Sequence, residues 1–466
     1  MASNVSRRRF LQRAAGGAVA LSTTQSALSM RALERAAAGS FAGDSCDVLI
    51  IGAGAAGIAA AHKLVDAGKR VIVVEARDRI GGRVCTSALW SDLPVDLGAS
   101  WIHGHLKNPL TDLAEKYRVQ TVATNYNSVA GFDGAGQRID LPELLRIQGL
   151  YGKLTAGLDR LPDSSTLTVA AAIEHWQNST DVAEADRVSQ RLVARNEIEV
   201  EYAVDLDELS LTALHTGKEF GGEQLIFPQG YKEIFTPLAA ELDIRLNTPV
   251  ERIDYAAKPV RVFTKGGSIE AQQVIVTVPL GVLKRGTIAF TPALPSEKLA
   301  AIQRVGMGLL DKVYLRFEKS FWPPSHIFAF LTTTNETWPD VFNLEPMCKQ
   351  PLLVAFKSGR AARADEHRSD EQLVASLMSQ LRAAFGSKIP QPISWQVTRW
   401  ASDPLSGGSY SFLPVGAAAD DYDRLAAPVG DRLLFAGEAT HRDHSATVHG
   451  AYLSGIREAE RILTVG

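Results

Sequence analysis

One stretch of thirty residues constrains this chain more than any other. Cys46-Asp47-Val48-Leu49-Ile50-Ile51 is a short apolar run with β-branched residues that stops abruptly at Gly52. That is the pattern of a strand buried on both faces in a parallel sheet. Gly52-Ala53-Gly54-Ala55-Ala56-Gly57 follows, then a helical stretch to about Ala67 closed by Gly68, then a second strand, Val71 to Val74, ending in Glu75. The spacing has a mechanism. Gly52 permits the tight turn, Gly54 lets the backbone approach a pyrophosphate, and Gly57 lets helix pack on strand. The helix N-terminus offers free N–H groups and a partial positive charge to the phosphates. Glu75, 18 residues after Gly57, stands where an acid accepts hydrogen bonds from a ribose. A glycine-rich turn alone is often only a turn. Strand, glycines, helix, strand and acid in that order predict an α/β protein with a Rossmann-type dinucleotide site.

The remaining length bounds what surrounds that site. The chain has 466 residues, 45% hydrophobic and 22% charged, room for two or three domains whose core needs no disulfide or metal staple. Cys46, Cys85 and Cys348 are the only cysteines and form no CxxC pair, which excludes a zinc ribbon, a thioredoxin-type site and a disulfide framework; no metal is expected. With 49 basic and 52 acidic side chains the formal charge is −3, against a nucleic-acid binder. No uninterrupted apolar run approaches the ~20 residues of a membrane helix.

The first forty residues read as an address. Ser6-Arg7-Arg8-Arg9-Phe10-Leu11-Gln12 precedes a small, mildly apolar run from Ala14 to Leu28, the layout of a bacterial twin-arginine export signal rather than a generic basic tail. Cleavage near Ala36-Ala37-Ala38 would remove residues 1–38, with six arginines and one glutamate. That leaves 43 basic against 51 acidic groups, a net of −8. An acidic mature protein favours cationic substrates. The route carries folded proteins, so a periplasmic enzyme could load a non-covalent cofactor before export.

Glu75-Ala76-Arg77-Asp78-Arg79-Ile80-Gly81-Gly82-Arg83 continues the fingerprint as Glu-x-Arg-x-x-x-Gly-Gly-Arg, which resembles the FAD-binding amine oxidase family rather than NAD dehydrogenases. Further segments match in family order: Asp96 to Gly104, Phe227 to Tyr231, Ile244 to Val250, Val274 to Pro279, Val305 to Val313, Leu434 to Glu438 and Ser445 to Ala451. The resemblance is closest to polyamine oxidases and the oxidase domain of lysine-specific histone demethylases. It implies the amine oxidase fold, a Rossmann-type FAD-binding domain interleaved with an α+β substrate domain. Residues 46–108, 216–285 and 400–466 would build the first and 109–215 and 286–399 the second. The first insert reads helical around 141–215. The second reads sheet-rich, with strands at Val313 to Phe317, Ile327 to Leu331 and Leu352 to Phe356 and a helix near Glu371 to Phe385. Ile244 to Val250 would form one strand.

The resemblance also implies a cofactor set: Gly52, Gly54, Ala56, Gly57, Glu75, Ala76, Arg77, Gly81, Gly82, Arg83, Gly98, Ala99, Ser100, Trp101, Val250, Gly437, Glu438, Thr447 and Val448. Val250 would meet adenine, and Gly81, Gly82 and Arg83 would lie along the flavin and pyrophosphate. A helix starting near Val448 would aim its N-terminus at the flavin's N1–C2 carbonyl edge. Ser409 replaces the cysteine that monoamine oxidases join to FAD, which implies non-covalent binding.

For catalysis the resemblance singles out Lys312, which in relatives holds a water at flavin N5. Periodicity alone puts it elsewhere: Lys312, Tyr314 and Arg316 alternate with Val313, Leu315 and Phe317, a polar, solvated strand face. Tyr410 matches an aromatic wall that guides the amine, although strand packing with Phe412 is a plainer role. Thr447 stands where monoamine oxidases place a second tyrosine, so the mouth should be wider and suit the polyamine branch. Trp400 reads as a structural partner of Lys312 and the flavin, and His103, in Trp-Ile-His-Gly, as a substrate contact. The acidic run Glu197, Glu199, Glu201, Asp205 and Asp207 reads first as a solvated helix face and alternatively as a cation-attracting rim.

The expected activity is FAD-dependent oxidation of an amine C–N bond to an imine, hydrolysed to aldehyde and amine, with a polyamine or secondary amine as substrate. Oxygen, giving H2O2, or a periplasmic carrier would accept the electrons. An L-amino-acid oxidase, with Arg195 or Arg316 for the carboxylate, is the second reading. A demethylase-like, partner-binding scaffold is the third.

Overall fold

The computed structural model describes residues 43–465 except 333, 335 and 336; the expected export signal lies outside the described residues. The strand Asp44–Ile51 sits at the centre of an eight-stranded sheet, parallel to Val71–Val74 on one side and to Gly267–Val276 on the other. Asp243–Arg245 extends the sheet beyond Val71–Val74, and Leu433–Phe435 pairs parallel with the end of Gly267–Val276. All four residues of Val71–Val74 are buried, as a strand covered on both faces requires. The helix Ala55–Asp66 leaves the glycine turn and packs against the C-terminal helix Val448–Val465. Their backbones touch: a Cβ on Gly455 would lie 2.1 Å from the carbonyl oxygen of Ala56.

A second sheet of six strands runs in the order Ser394–Val397, Leu310–Arg316, Leu352–Ser358, Asp340–Asn343, Ile327–Leu331, Val129–Asp133. It is antiparallel except for the last, parallel pair. Val313 and Leu315 turn to one face, under the helix Asp370–Phe385, whose start is fixed by a Ser369–Gln372 capping box. Lys312 and Tyr314 therefore face the opposite side, and both are buried. The solvated face expected from alternation does not exist, because the sheet is covered on both faces. That second face packs against Trp90, Leu93, Val95 and Ile226, and the first insert supplies the helices Leu141–Leu158, Val169–Asn178 and Glu184–Ala194. Asp140 and Thr168 cap the first two by accepting hydrogen bonds from the backbone N–H groups of Glu143 and Ala171.

Two expectations change. Ile244 to Val250 is not one strand: Asp243–Arg245 and Val250–Asp254 are separate strands on different sides of the sheet. Between them Asn247 takes a left-handed φ of 53°, and Asn247 and Thr248 donate their N–H groups to the carbonyls of Arg77 and Glu75. The other change is at residue 285. Ala289–Thr291 pairs with Val250–Asp254, so the cofactor-side sheet extends past that boundary.

Candidate active site

A cavity of about 740 Å³ runs from the Gly52–Gly57 turn, past Lys312, into the space between the six-stranded sheet and the helices of the first insert. Every residue singled out for the cofactor lines it except Gly57. Gly57 acts from behind: a Cβ there would sit 1.9 Å from the Gly52 carbonyl oxygen, so only glycine lets the helix start this close to the strand. Gly54 and Gly437 do the reverse. A Cβ on Gly54 would meet nothing nearer than 3.9 Å, and one on Gly437 nothing within 4 Å. Both would intrude on space that a phosphate-bearing group needs, so the cradle fits a dinucleotide.

Polar groups around the cradle are fixed by one another. Glu75 accepts hydrogen bonds from Ala53 N (2.7 Å) and Arg77 N (2.9 Å), which leaves lone pairs on both oxygens for a ribose. Arg77 pairs with Asp403 at 2.9 Å. Arg83 donates to Glu438 and to the Ser409 carbonyl, each at 2.9 Å. Glu438 in turn accepts from Ser411 Oγ (2.6 Å) and Ala446 N (2.9 Å). Ser409 spends its own hydroxyl on Leu310, accepting from its N–H and donating to its carbonyl, both at 2.9 Å.

Lys312 is 4% exposed. Its Nζ donates to the carbonyls of Asp96 (2.8 Å) and Gly98 (2.5 Å) and to Ser100 Oγ (2.6 Å). Burial lowers its pKa to about 8, with Asp96 opposing. Trp400 donates Nε1–H to the Leu97 carbonyl at 3.0 Å and lies against Gly98, so Trp400 and Lys312 brace the same loop. Tyr410 lines the cavity and donates its hydroxyl to the Val200 carbonyl at 2.9 Å. Thr447 lines it too, but its hydroxyl accepts from Gly450 N (2.9 Å) and donates to the His444 carbonyl (2.8 Å). It caps the helix Val448–Val465, whose first turn holds no acid and whose N-terminus opens on the cavity at Val448. His103 lines the cavity with Nδ1 2.8 Å from Gln224 Oε1.

The acidic run divides. Helix Glu184–Ala194 passes into a π-helical turn, Arg195–Glu199, then Val200–Tyr202; such bulges re-aim side chains and recur at functional sites. Glu199 turns away from the cavity to accept from Leu206 N (3.1 Å). Asp205 takes Arg360 N at 2.8 Å, and Asp207 pairs with Arg360 at 2.8 Å. Glu197 and Glu201 line the cavity. The run is not a uniform solvated face: two of its acids reach the cavity and three are tied into the fold elsewhere.

Opposite them stands Asp340, which the sequence did not flag. Its register partners Ala329 and Phe356 line the cavity with it. Burial pushes Glu197 up to about 7, with Glu201 adding repulsion. Burial and then Glu197 hold Asp340 well above the usual carboxylate range. Protein atoms crowd Glu197, yet its side chain is exposed on the cavity wall, where a ligand can reach it. Nothing local marks Asp340 in sequence, because only strand register brings it to Glu197.

A Rossmann-type sheet opening on a cavity with room for a dinucleotide and a substrate defines a dinucleotide-dependent oxidoreductase. Residues 55–463 match the family of flavin containing amine oxidoreductases, and the chain belongs to that family. It is a flavin amine oxidase with FAD as cofactor. Among its relatives, it is 36% identical over 431 residues to polyamine oxidase 4 of Oryza sativa subsp. japonica, covering 89% of this chain and 88% of that one. It is also 36% identical over 447 residues to lysine-specific histone demethylase 1 homolog 1 of Arabidopsis thaliana, covering 90% of this chain and 52% of that one. The fold is shared with wild-type putrescine oxidase bound to putrescine, at a TM-score of 0.75 and 22% identity, over 90% of this chain and 99% of that one.

Proposed function

We propose that this protein oxidises a C–N bond of a polyamine, or of a secondary amine with a distal cation, to an imine that water hydrolyses to an aldehyde and an amine. The observation that carries the reading is the trio Glu197, Glu201 and Asp340 at the substrate end of the cavity. Glu197, raised to about 7, and Asp340, held well above the usual carboxylate range, regain charge when a cation enters, because an opposite charge favours the ionised form. The acidic mature composition and the polyamine oxidase relatives point the same way.

FAD, held along the glycine turn, Glu75, Arg83 and Glu438, supplies the two-electron acceptor. The protein supplies position and field. Tyr410 forms a wall beside the reacting carbon, the capped helix from Val448 favours negative charge at its N-terminus, and Lys312 keeps a proton among Asp96, Gly98 and Ser100. His103 adds a polar contact away from the flavin. Hydride leaves a neutral amine, so no strong base on carbon is required. Ser409 leaves the cofactor non-covalent. Oxygen, with release of H2O2, or a periplasmic carrier takes the electrons.

The amino-acid oxidase reading finds little support. Arg316 is paired with Asp92 and bonded to Gln350, and Arg195 is paired with Glu199; neither lines the cavity. A demethylase-like scaffold draws support from the demethylase relatives, but the longest helix of the first insert has 18 residues, Leu141–Leu158, too short for a partner-gripping arm.

Glu197→Gln and Asp340→Asn test the substrate reading. Each should raise KM for spermidine by ~10-fold or more, the scale of one charged hydrogen bond, and leave a short monoamine nearly unchanged. Equal effects on both amines would reject a distal-cation site. For export, Arg7→Lys with Arg8→Lys should strand active, FAD-loaded enzyme in the cytoplasm. Mature enzyme still reaching the periplasm would reject the twin-arginine assignment.

A further inference from the structure

The turn that carries Trp400 is received by two carboxylates. Asp311 Oδ1 accepts from Thr398 Oγ1 at 2.7 Å and from Trp400 N at 3.1 Å. Glu366 accepts from Ala401 N at 2.6 Å with one oxygen and from the Ser402 hydroxyl with the other. Thr398 Oγ1 also accepts from Lys312 N at 2.8 Å, so the same cluster holds the backbone of the lysine strand. One atom is unexplained. Asp311 Oδ2 is buried without a hydrogen-bond partner, an expensive state for a carboxylate oxygen.

Glu366 stands beside it, and no cation pairs with either carboxylate among the described residues. Arg399 spends Nε on the Glu366 carbonyl and Nη1 on Asp370. Arg285 donates to the Ala401 and Asp403 carbonyls, and Arg77 pairs with Asp403. Lys312 turns its amine away to Asp96 and Gly98, and Cys85 packs with Trp400. Two ionised carboxylates side by side in such surroundings would repel.

We propose that Asp311 and Glu366 share one proton, carried as an Asp311 Oδ2–H that donates to Glu366, and that the joined pair acts as positioning residues for Trp400 and the cofactor-facing turn behind it. Trp400 then keeps its hydrogen bond to Leu97 and its contact with Gly98, and Pro404 and Leu405 keep their places on the cavity wall. The orphan oxygen becomes a donor, and one negative charge is spread over the polar groups of the turn.

Burial, with Glu366 beside it, pushes Asp311 up to about 7 from an ordinary 3.8. The folded state therefore binds this proton more tightly than the unfolded state. Stability from the pair is greatest in acid, is lost as pH rises from about 4 to about 7, and is level above that.

The test compares holoenzyme of the wild type, Asp311→Asn and Asp311→Ala, following FAD release and thermal unfolding from about pH 5 to about pH 8. Asparagine keeps the accepting oxygen and supplies a permanent N–H to Glu366. Wild type should lose FAD faster and unfold earlier as pH rises, with a folded-to-unfolded ratio falling by up to about tenfold per pH unit relative to Asp311→Asn. Asp311→Asn should match wild type at the acid end, and Asp311→Ala should release FAD throughout. Infrared spectra of wild type should show a protonated-carboxyl stretch that Asp311→Asn lacks. An Asp311→Asn profile that tracks wild type across the range, or the absence of that stretch in acid, would overturn the shared proton. The infrared measurement stands even if a variant fails to fold.

Discussion

Lys312 alternates with apolar neighbours along its strand, and alternation by itself assigns it to water. The structure gives it three acceptors and almost no solvent. Desolvation and the nearby Asp96 charge oppose each other, and desolvation wins, lowering the lysine's pKa to about 8. Lys312→Met should therefore have two effects. Turnover should fall by ~10-fold or more while the flavin spectrum is kept, the loss expected for a positioned proton-holding group. Stability should also drop by roughly 1–3 kcal/mol, because the Asp96 and Gly98 carbonyls lose a buried donor. Rapid-mixing kinetics of flavin reduction and reoxidation, with a melting curve, read both. Unchanged rates in both half-reactions would reduce Lys312 to a structural tie.

Elements differ in how much of them the sequence discloses. The strand, turn and helix at Asp44–Asp66 were legible because their determinants are local: three glycines, an apolar run and an acid at fixed spacing. The strands of the second insert and the helix Asp370–Phe385 were legible for the same reason. The break at Asn247 was not, since it depends on hydrogen bonds from the chain to Glu75 and Arg77, far away in sequence. The acidic run was legible in part: Glu197 and Glu201 share the cavity wall, whereas the π-helical turn at Arg195–Glu199 interrupts the 3.6-residue period that a longer face would need. Asp340 reaches the cavity only through its pairing with Ala329 and Phe356, and Asp311 meets Glu366 only in three dimensions. Thr447 shows the limit of matching positions: its place on the cavity wall was legible, whereas the use of its hydroxyl as a helix cap was not. What escaped the sequence is what register and tertiary contact decide.

At the scale of the whole molecule, two sheets divide the work. The eight-stranded sheet brings glycine turns and a helix N-terminus to one end of the cavity, where anionic phosphates are favoured. The mixed sheet and the helices facing it bring three carboxylates to the other end, where they favour a cation. On the proposed function, a cofactor negative where the protein is positive and a substrate positive where the protein is negative would lie end to end through one cavity. The second end is proposed to select an amine with a distal positive charge. Anaerobic flavin bleaching tests it most directly, with purified enzyme mixed with spermidine, spermine, benzylamine and an L-amino acid in turn. The expected result is fastest bleaching by a polyamine, with a rate constant that rises with pH as the reacting nitrogen loses its proton. Faster bleaching by benzylamine or by the amino acid than by every polyamine would contradict it.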